Sequence, residues 1–196
     1  MMSDRFISFI RRKILRISKF RWDYQYSEGR YDWVRKEEMK RLYEARELMD
    51  KYLHGGKIFD IGCGEGLFLE VIADLNYSFY EGIDISEVAI GKIKTTGKCL
   101  LKVADMEKYV PANSPFSVIV INEVLYYSKN PVELLKRQSG FLESEGVFLI
   151  GMFDTKKSTE IWSKLDQDFV VIDSVRIEQK EKTWSYRIIK PILKKN

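Results

Sequence analysis

Three aspartates stand where short apolar runs end, and their spacing sets the chemistry open to this chain. Asp60 lies near the end of Lys57–Ile61 and is followed by Gly62-Cys63-Gly64-Glu65-Gly66. Asp84 comes 18 residues after Gly66, near the end of Phe79–Ile85, and Asp105 comes 21 residues after Asp84, just past Cys99–Val103. A strand that ends in glycines and feeds a helix is where an open parallel sheet binds a nucleotide-like ligand. Three glycines at alternate positions let the backbone turn sharply and let a ligand come close to main-chain N–H groups.

The glycine spacing selects among ligands. Dinucleotide sites use G-x-G-x-x-G. Here Gly62, Gly64 and Gly66 give G-x-G-x-G, with Leu67 in place of the last dinucleotide glycine. No G-x-x-x-x-G-K-[ST] run is present either, which excludes a phosphate-cradling loop of that pattern. A carboxylate at Asp84 can accept two hydrogen bonds from a ribose diol. Asp105 can accept the exocyclic amine of adenine, with the Met106 N–H facing a ring nitrogen. Each acid alone is weak, since Asp is common at strand ends as a turn or cap residue. Together they describe a pocket for an adenosine without phosphate.

The elements that must hold these groups follow from periodicity. Lys57–Ile61, Phe79–Ile85, Cys99–Val103, Phe116–Ile121 and Val147–Phe153 read as strands. Helical patterns stand between them: Gly66–Leu75, Ser86 to about Thr96 with Ser86 as N-cap, Asn130 to about Leu142 with Asn130 as N-cap and Pro131 at the first helical position, and Thr155–Leu165. A long helix is expected over Val34–Leu53, stopped by His54-Gly55-Gly56. Phe169–Ile177 and Trp184–Ile189 read as a terminal hairpin. Strand–helix alternation gives an α/β, doubly wound, Rossmann-like sheet. It has seven strands, mostly parallel, with the antiparallel hairpin at the C-terminus and helices on both faces.

Composition narrows the class. The chain has 196 residues, 45% hydrophobic and 32% charged, as in a globular protein. Its net charge of +4 is uneven: residues 1–21 carry seven basic residues against Asp4 alone, while the rest carries 26 basic and 28 acidic. The body of the chain is therefore not a nucleic-acid surface. Cys63 and Cys99 are too few for a disulfide framework, and a single histidine, His54, makes a zinc site improbable. Reduced cysteines and the absence of a signal peptide or spanning run lead to a cytoplasmic expectation.

Residues 1–33 stand apart from a domain expected over 34–196. Phe6, Ile10, Ile14 and Ile17 share one face of a basic helical pattern over 4–20. One reading is a reversible tether to an anionic membrane surface; the other is a helix packed on the domain or a partner. Residues 21–33 are dense in aromatics. Trp22, Tyr26 and Tyr31, with Tyr127 downstream, suit a segment lying across a pocket with one dry side, or satellite core under a loop.

Phe59 to Gly66, Gly82 to Ser86 and Ala104 to Met106 resemble the cofactor motifs of class I S-adenosylmethionine-dependent methyltransferases. Phe116–Leu125 and Leu142–Val147 are similar to that family's fourth and fifth strand motifs, so the resemblance spans about residues 35–153. Glu123-Val124-Leu125-Tyr126-Tyr127 further resembles nodulation-type N-methyltransferases, which act on an amino sugar. Trp22 to Trp33 is similar to the front segment of saccharide-pathway enzymes.

The resemblance implies S-adenosylmethionine as cofactor and methyl transfer to a small-molecule or saccharide-type acceptor, at nitrogen or oxygen. It places Asp60 and Gly62 near the methionine portion, Asp84 on the ribose, and Asp105 and Met106 on adenine, with Cys63, Gly64 and Ile85 also in the cofactor site. Asn122 lies beside the methyl donor, Glu123 and Tyr126 at the reacting centre, and Trp22, Tyr26, Tyr31 and Tyr127 toward the acceptor. Many family members place a histidine after the fourth strand; Tyr126 and Tyr127 stand there instead, which favours an amine acceptor. Methylation of another metabolite and an inactive cofactor-binding partner subunit remain the competing readings.

Overall fold

The structure, a computed structural model, describes residues 18–94 and 97–192. Most of the basic pattern expected over 4–20 lies outside the described residues. Within them, no helix is long and apolar enough to cross a membrane.

Seven strands form one sheet in the order β3-β2-β1-β4-β5-β7-β6. These are β1 (Gly55–Ile61), β2 (Tyr77–Asp84), β3 (Cys99–Val103), β4 (Phe116–Asn122), β5 (Leu142–Phe153), β6 (Phe169–Gln179) and β7 (Lys182–Pro191). The first five pair in parallel, and β7 runs antiparallel between β5 and β6. The expected hairpin is therefore present, with its second strand inside and its first at the edge.

Both faces are covered. Along β4, Val118 and Val120 face one core with α3 (Met39–Leu53) and α4 (Leu67–Val71), through Leu42, Ala45, Met49 and Phe68. Ile119 and Ile121 face the other, with α6 (Pro131–Ser139) and α7 (Lys156–Leu165), through Leu134, Leu135, Ile161 and Trp162. A strand dry on both sides has no reason to alternate apolar with polar, which is why Phe116–Ile121 reads as one apolar run. Removing each such side chain from water stabilises the fold by about 1.5–3 kcal/mol.

The caps follow their residue types. Ser86 Oγ accepts the Ala89 N–H at 3.2 Å at the start of α5 (Glu87–Lys92). Asn130 caps α6 with Pro131 at its first turn, and Thr155 with Ser158 closes a capping box on α7. His54 ends α3 in the left-handed region, at φ 47°.

One helix differs from expectation. Val34–Leu53 divides into α2 (Asp32–Glu37) and α3, broken at Glu38 (φ −122°, ψ 10°). The carboxylate of Glu38 is buried against Arg41 and Lys182 rather than left on a solvated helix face. Ahead of these, α1 (Ser18–Ser27) carries the aromatic segment. It is fastened to α5: Asp23 Oδ1 accepts Ser86 Oγ–H at 2.7 Å and the Val88 N–H at 3.3 Å, and Lys92 Nζ donates to the Tyr26 carbonyl at 2.7 Å.

Candidate active site

The chain reverses its sheet order at β1, whose neighbours are β2 and β4. Asp60 pairs with Gly82 on one side and Val120 on the other, so the ends of β1, β2 and β4 open into one crevice. A cavity of about 420 Å³ occupies it, within the range of small-molecule sites. Every site residue assigned from sequence lines this cavity: Asp60, Gly62, Cys63 and Gly64, then Asp84 and Ile85, then Asp105 and Met106. Asn122, Glu123 and Tyr126 line it too, as do Trp22, Tyr26, Tyr31 and Tyr127.

The glycine turn works differently from expectation. The Gly62 and Cys63 N–H groups both donate to the Ile83 carbonyl, at 2.7 and 3.0 Å, and Gly64 N–H donates to Asp84 Oδ2 at 3.0 Å. These three amides brace the turn on β2 instead of facing a ligand. The glycines serve close approach. A Cβ on Gly62 would stand 2.7 Å from Val124 Cγ2, and one on Gly64 would stand 2.9 Å from the Tyr26 hydroxyl.

Asp84 is held by two backbone amides. Its Oδ2 takes the Gly64 amide and its Oδ1 the Ser86 amide, at 3.0 and 2.8 Å. A carboxylate has about four lone-pair sites. These amides leave part of that capacity unused. Burial pushes its pKa up, and the two amides pull it back.

Asp60 is 2% exposed and accepts the Tyr80 hydroxyl at 2.7 Å. Burial, opposed by that hydrogen bond and aided by Asp84, pushes its pKa up to about 7. The neutral acid and the carboxylate are thus both accessible near neutrality, and a cationic ligand group selects the carboxylate. Burial raises the Cys63 thiol well above its ordinary value, so it is a small packing residue and not a nucleophile.

At the other end, Asp105 Oδ1 accepts the Glu107 N–H at 2.9 Å, and Arg137 donates to the Met106 and Glu107 carbonyls. The loop after β3 is held open by these contacts. The Met106 N–H has no partner among the described residues and is available for a ring nitrogen.

Beyond β4, Glu123 adopts φ +58°, a conformation that turns its side chain back over the strand end. Its Oε1 accepts the Phe153 N–H at 2.6 Å and its Oε2 the Tyr126 hydroxyl at 2.9 Å. Burial raises its pKa, against the pull of Arg41 and these two donors. Tyr126 is raised as well, by burial and then by the Glu123 charge, so it stays a phenol and a donor.

The aromatic residues form one connected wall. Trp22 meets Tyr127 edge-on at 5.0 Å between centroids, and Tyr127 meets Tyr126 at 4.8 Å. Tyr26 and Tyr31 lie 5.1 Å apart, and Tyr31 donates its hydroxyl to Gln25 Oε1 at 2.9 Å. Tyr127 remains half exposed at the outer end of this wall.

A buried charge network next to Asn122 was missed from sequence. Arg41 Nε pairs with Glu38 Oε2 at 3.0 Å, and Lys182 Nζ with Glu38 Oε1 at 2.8 Å. Arg41 Nη1 donates to Tyr186 Oη at 2.8 Å, and that hydroxyl donates to Asn122 Oδ1 at 2.9 Å. Glu123 supplies a second anion against Arg41, and Arg41 Nη2 makes no hydrogen bond among the described residues although Arg41 lines the cavity. A guanidinium nitrogen left free at a cavity can donate to a carboxylate. The available signal was position: Glu38 and Arg41 fall on the same helical stripe as Leu42, Ala45 and Met49, where a charge needs a partner.

The sheet order, the strand-end acids and the glycine turn define the class I S-adenosylmethionine-dependent methyltransferase architecture. A family model described as "Methyltransferase domain" matches residues 12–187, and the chain belongs to that family. It is 22% identical over 130 residues to the ubiquinone biosynthesis O-methyltransferase of Neisseria meningitidis serogroup C (strain 053442), covering 59% of this chain and 54% of that protein. The chain thus spans about half the length of the curated relatives it matches. Among solved structures, the N-methyltransferase NodS from Bradyrhizobium japonicum WM9, in complex with S-adenosyl-L-homocysteine, superposes with a TM-score of 0.65 at 19% identity, over 81% of this chain and 91% of that one. The plantazolicin methyltransferase BpumL with S-adenosylhomocysteine does so with a TM-score of 0.64 at 18% identity, over 86% and 90%.

Proposed function

We propose that the chain transfers the methyl group of S-adenosylmethionine to a small-molecule or saccharide-type acceptor seated against the aromatic wall. The observation that carries this reading is Asp84. Two backbone N–H groups fix its carboxylate, and Asp84 lines the cavity, where its remaining acceptor capacity suits a ribose diol.

The donor set fits the cofactor along its length. Asp105 and the Met106 N–H would hold adenine, Asp84 the ribose, and the Arg41 Nη2 donor the methionyl carboxylate. Asp60 lies where the cationic part of the methionyl group would meet it. When bound, the cofactor supplies an electrophilic methyl carbon on a sulfonium. The chain's own contribution is to hold the acceptor in line with it and to exclude water behind Trp22 and Tyr127. The acceptor atom forms its bond to the methyl carbon as the carbon–sulfur pair returns to sulfur.

An amine acceptor suits the residues at hand. The single histidine, His54, stands at the start of β1, at the opposite end of the strand from Asp60. The group facing the reacting centre is the Glu123–Tyr126 pair. Glu123, raised by burial, can take the proton that a methylated amine releases. Aromatic faces also favour a cationic sulfonium or ammonium. Support from relatives is in kind only: NodS is an N-methyltransferase by its name, and the ubiquinone pathway relative an O-methyltransferase.

Incubation of the purified chain with methyl-labelled cofactor and a panel of amino sugars, hydroxylated sugars, amines, thiols and carboxylates tests the reading. Label should enter an amino sugar or amine. Label confined to thiols or carboxylates would replace the saccharide reading, and a chain that binds cofactor but labels none would support the inactive-subunit alternative.

A further inference from the structure

The hydroxyl of Tyr26 is the one polar group of the aromatic wall turned toward the glycine turn. It lies 2.9 Å from the position a Cβ on Gly64 would take. The carboxylates that act on it are those of Asp84 and then Glu65, after burial itself. It makes no hydrogen bond among the described residues, unlike Tyr31, which is tied to Gln25, and Tyr126, which is tied to Glu123. Tyr26 is only partly buried and lines the cavity, so its hydroxyl is free to meet a ligand group there.

The backbone places this hydroxyl with care. The Tyr26 carbonyl accepts Lys92 Nζ at 2.7 Å, and Asp23, one turn earlier in α1, caps the start of α5 through Ser86 and Val88. Ser86 is also the residue whose amide holds Asp84. One short path of hydrogen bonds therefore sets the position of Tyr26 relative to Asp84.

We infer that Tyr26 is a cofactor ligand and not an acceptor residue: its hydroxyl, beside Gly64 and Asp84, bonds the ribose–methionyl part of S-adenosylmethionine. This assignment rests on the proposed function and divides the aromatic wall. Tyr26 belongs to the donor half, and Trp22, Tyr31 and Tyr127 are left to the acceptor half. The aromatic segment carried by α1 then contributes directly to cofactor affinity.

The test is calorimetric titration of the full chain with S-adenosylhomocysteine, for the wild type and Tyr26→Phe, alongside thermal unfolding without ligand. Because the hydroxyl bonds no protein group, Tyr26→Phe should leave the unliganded unfolding temperature unchanged and weaken binding about tenfold. Tyr26→Leu, which also removes the ring, should weaken it further. Equal affinity of the wild type and Tyr26→Phe overturns the inference while leaving the methyltransferase reading intact. So does a fall in unliganded stability that accounts for the loss, which would make Tyr26 a packing residue. A wild-type chain that does not bind S-adenosylhomocysteine overturns the inference together with the reading it rests on.

Discussion

The Tyr80 hydroxyl donates to Asp60 Oδ2 at 2.7 Å, deep in the sheet, and is the hydrogen bond that opposes the burial of that carboxyl. With the folded pKa pushed up to about 7 from an ordinary value of 3.8, the folded chain binds a proton that the unfolded chain has already lost between those pH values. Stability from this group is complete below the unfolded pKa and is lost as pH rises through the folded one. Asp60→Asn should therefore flatten the fall in unfolding free energy between about pH 4 and 7, read by urea denaturation across pH. A cationic ligand beside Asp60 has the opposite preference, so affinity for S-adenosylmethionine should rise through neutrality with proton release on binding, seen as a dependence of binding heat on buffer. An unchanged pH profile in Asp60→Asn would remove this role.

Asp84→Asn keeps the volume of the side chain but gives up the charge that receives the Gly64 and Ser86 amides and the ribose. Charge-assisted hydrogen bonds contribute about 1.5–3 kcal/mol each, so cofactor affinity should fall by about 10- to 100-fold. Equilibrium titration with S-adenosylhomocysteine checks this; unchanged affinity would show that the ribose does not lie on Asp84.

Arg41→Lys retains a cation beside Glu38 and loses the fork that leaves Nη2 free. S-adenosylhomocysteine should bind the variant about tenfold less tightly, whereas adenosine, which has no carboxylate, should bind equally well. A parallel loss for both ligands would assign Arg41 to the structure of the site and not to the methionyl carboxylate.

Glu123→Gln preserves the shape and acceptor oxygen facing the Phe153 amide and removes the base. With an amine acceptor, turnover should fall by about 10²- to 10⁴-fold with cofactor affinity nearly unchanged. The ascending limb of the pH–rate profile, which belongs to loss of a proton from a raised carboxyl, should disappear. A variant that retains both rate and limb would leave proton removal to water.

Gly62 and Gly91 make a matched pair for the turn itself. Gly62→Ala brings a Cβ to within 2.7 Å of Val124 Cγ2 at φ +77°, and should destabilise the chain by about 1–3 kcal/mol. Gly91, in α5 with nothing within 4 Å of its Cβ position, should gain about 0.5–1 kcal/mol on change to Ala. Chemical denaturation of the two variants should give opposite signs.

Legibility from sequence followed the range of the interactions. Gly62, Gly64 and Gly66 could be read because a left-handed φ is a property of single residues, and Asp84 and Asp105 because strand ends are local events. The two-sided burial of β4 is written in Phe116–Ile121. The break at Glu38 is not local. It exists because Lys182, 144 residues away, reaches the same carboxylate as Arg41, and no helical pattern carries that information. The same holds for Arg41, whose partner Tyr186 lies 145 residues away. The amides of Gly62 and Cys63 were expected to face a ligand and instead meet the Ile83 carbonyl of the neighbouring strand, a contact set by sheet register.

The central claim is that the cavity at the ends of β1, β2 and β4 binds an adenosine bearing a methionyl group. Calorimetric titration of the full chain with S-adenosylhomocysteine and, separately, with a nicotinamide dinucleotide tests it most directly. The account predicts saturable binding of S-adenosylhomocysteine at one site per chain and no binding of the dinucleotide. Binding of the dinucleotide without S-adenosylhomocysteine would contradict it.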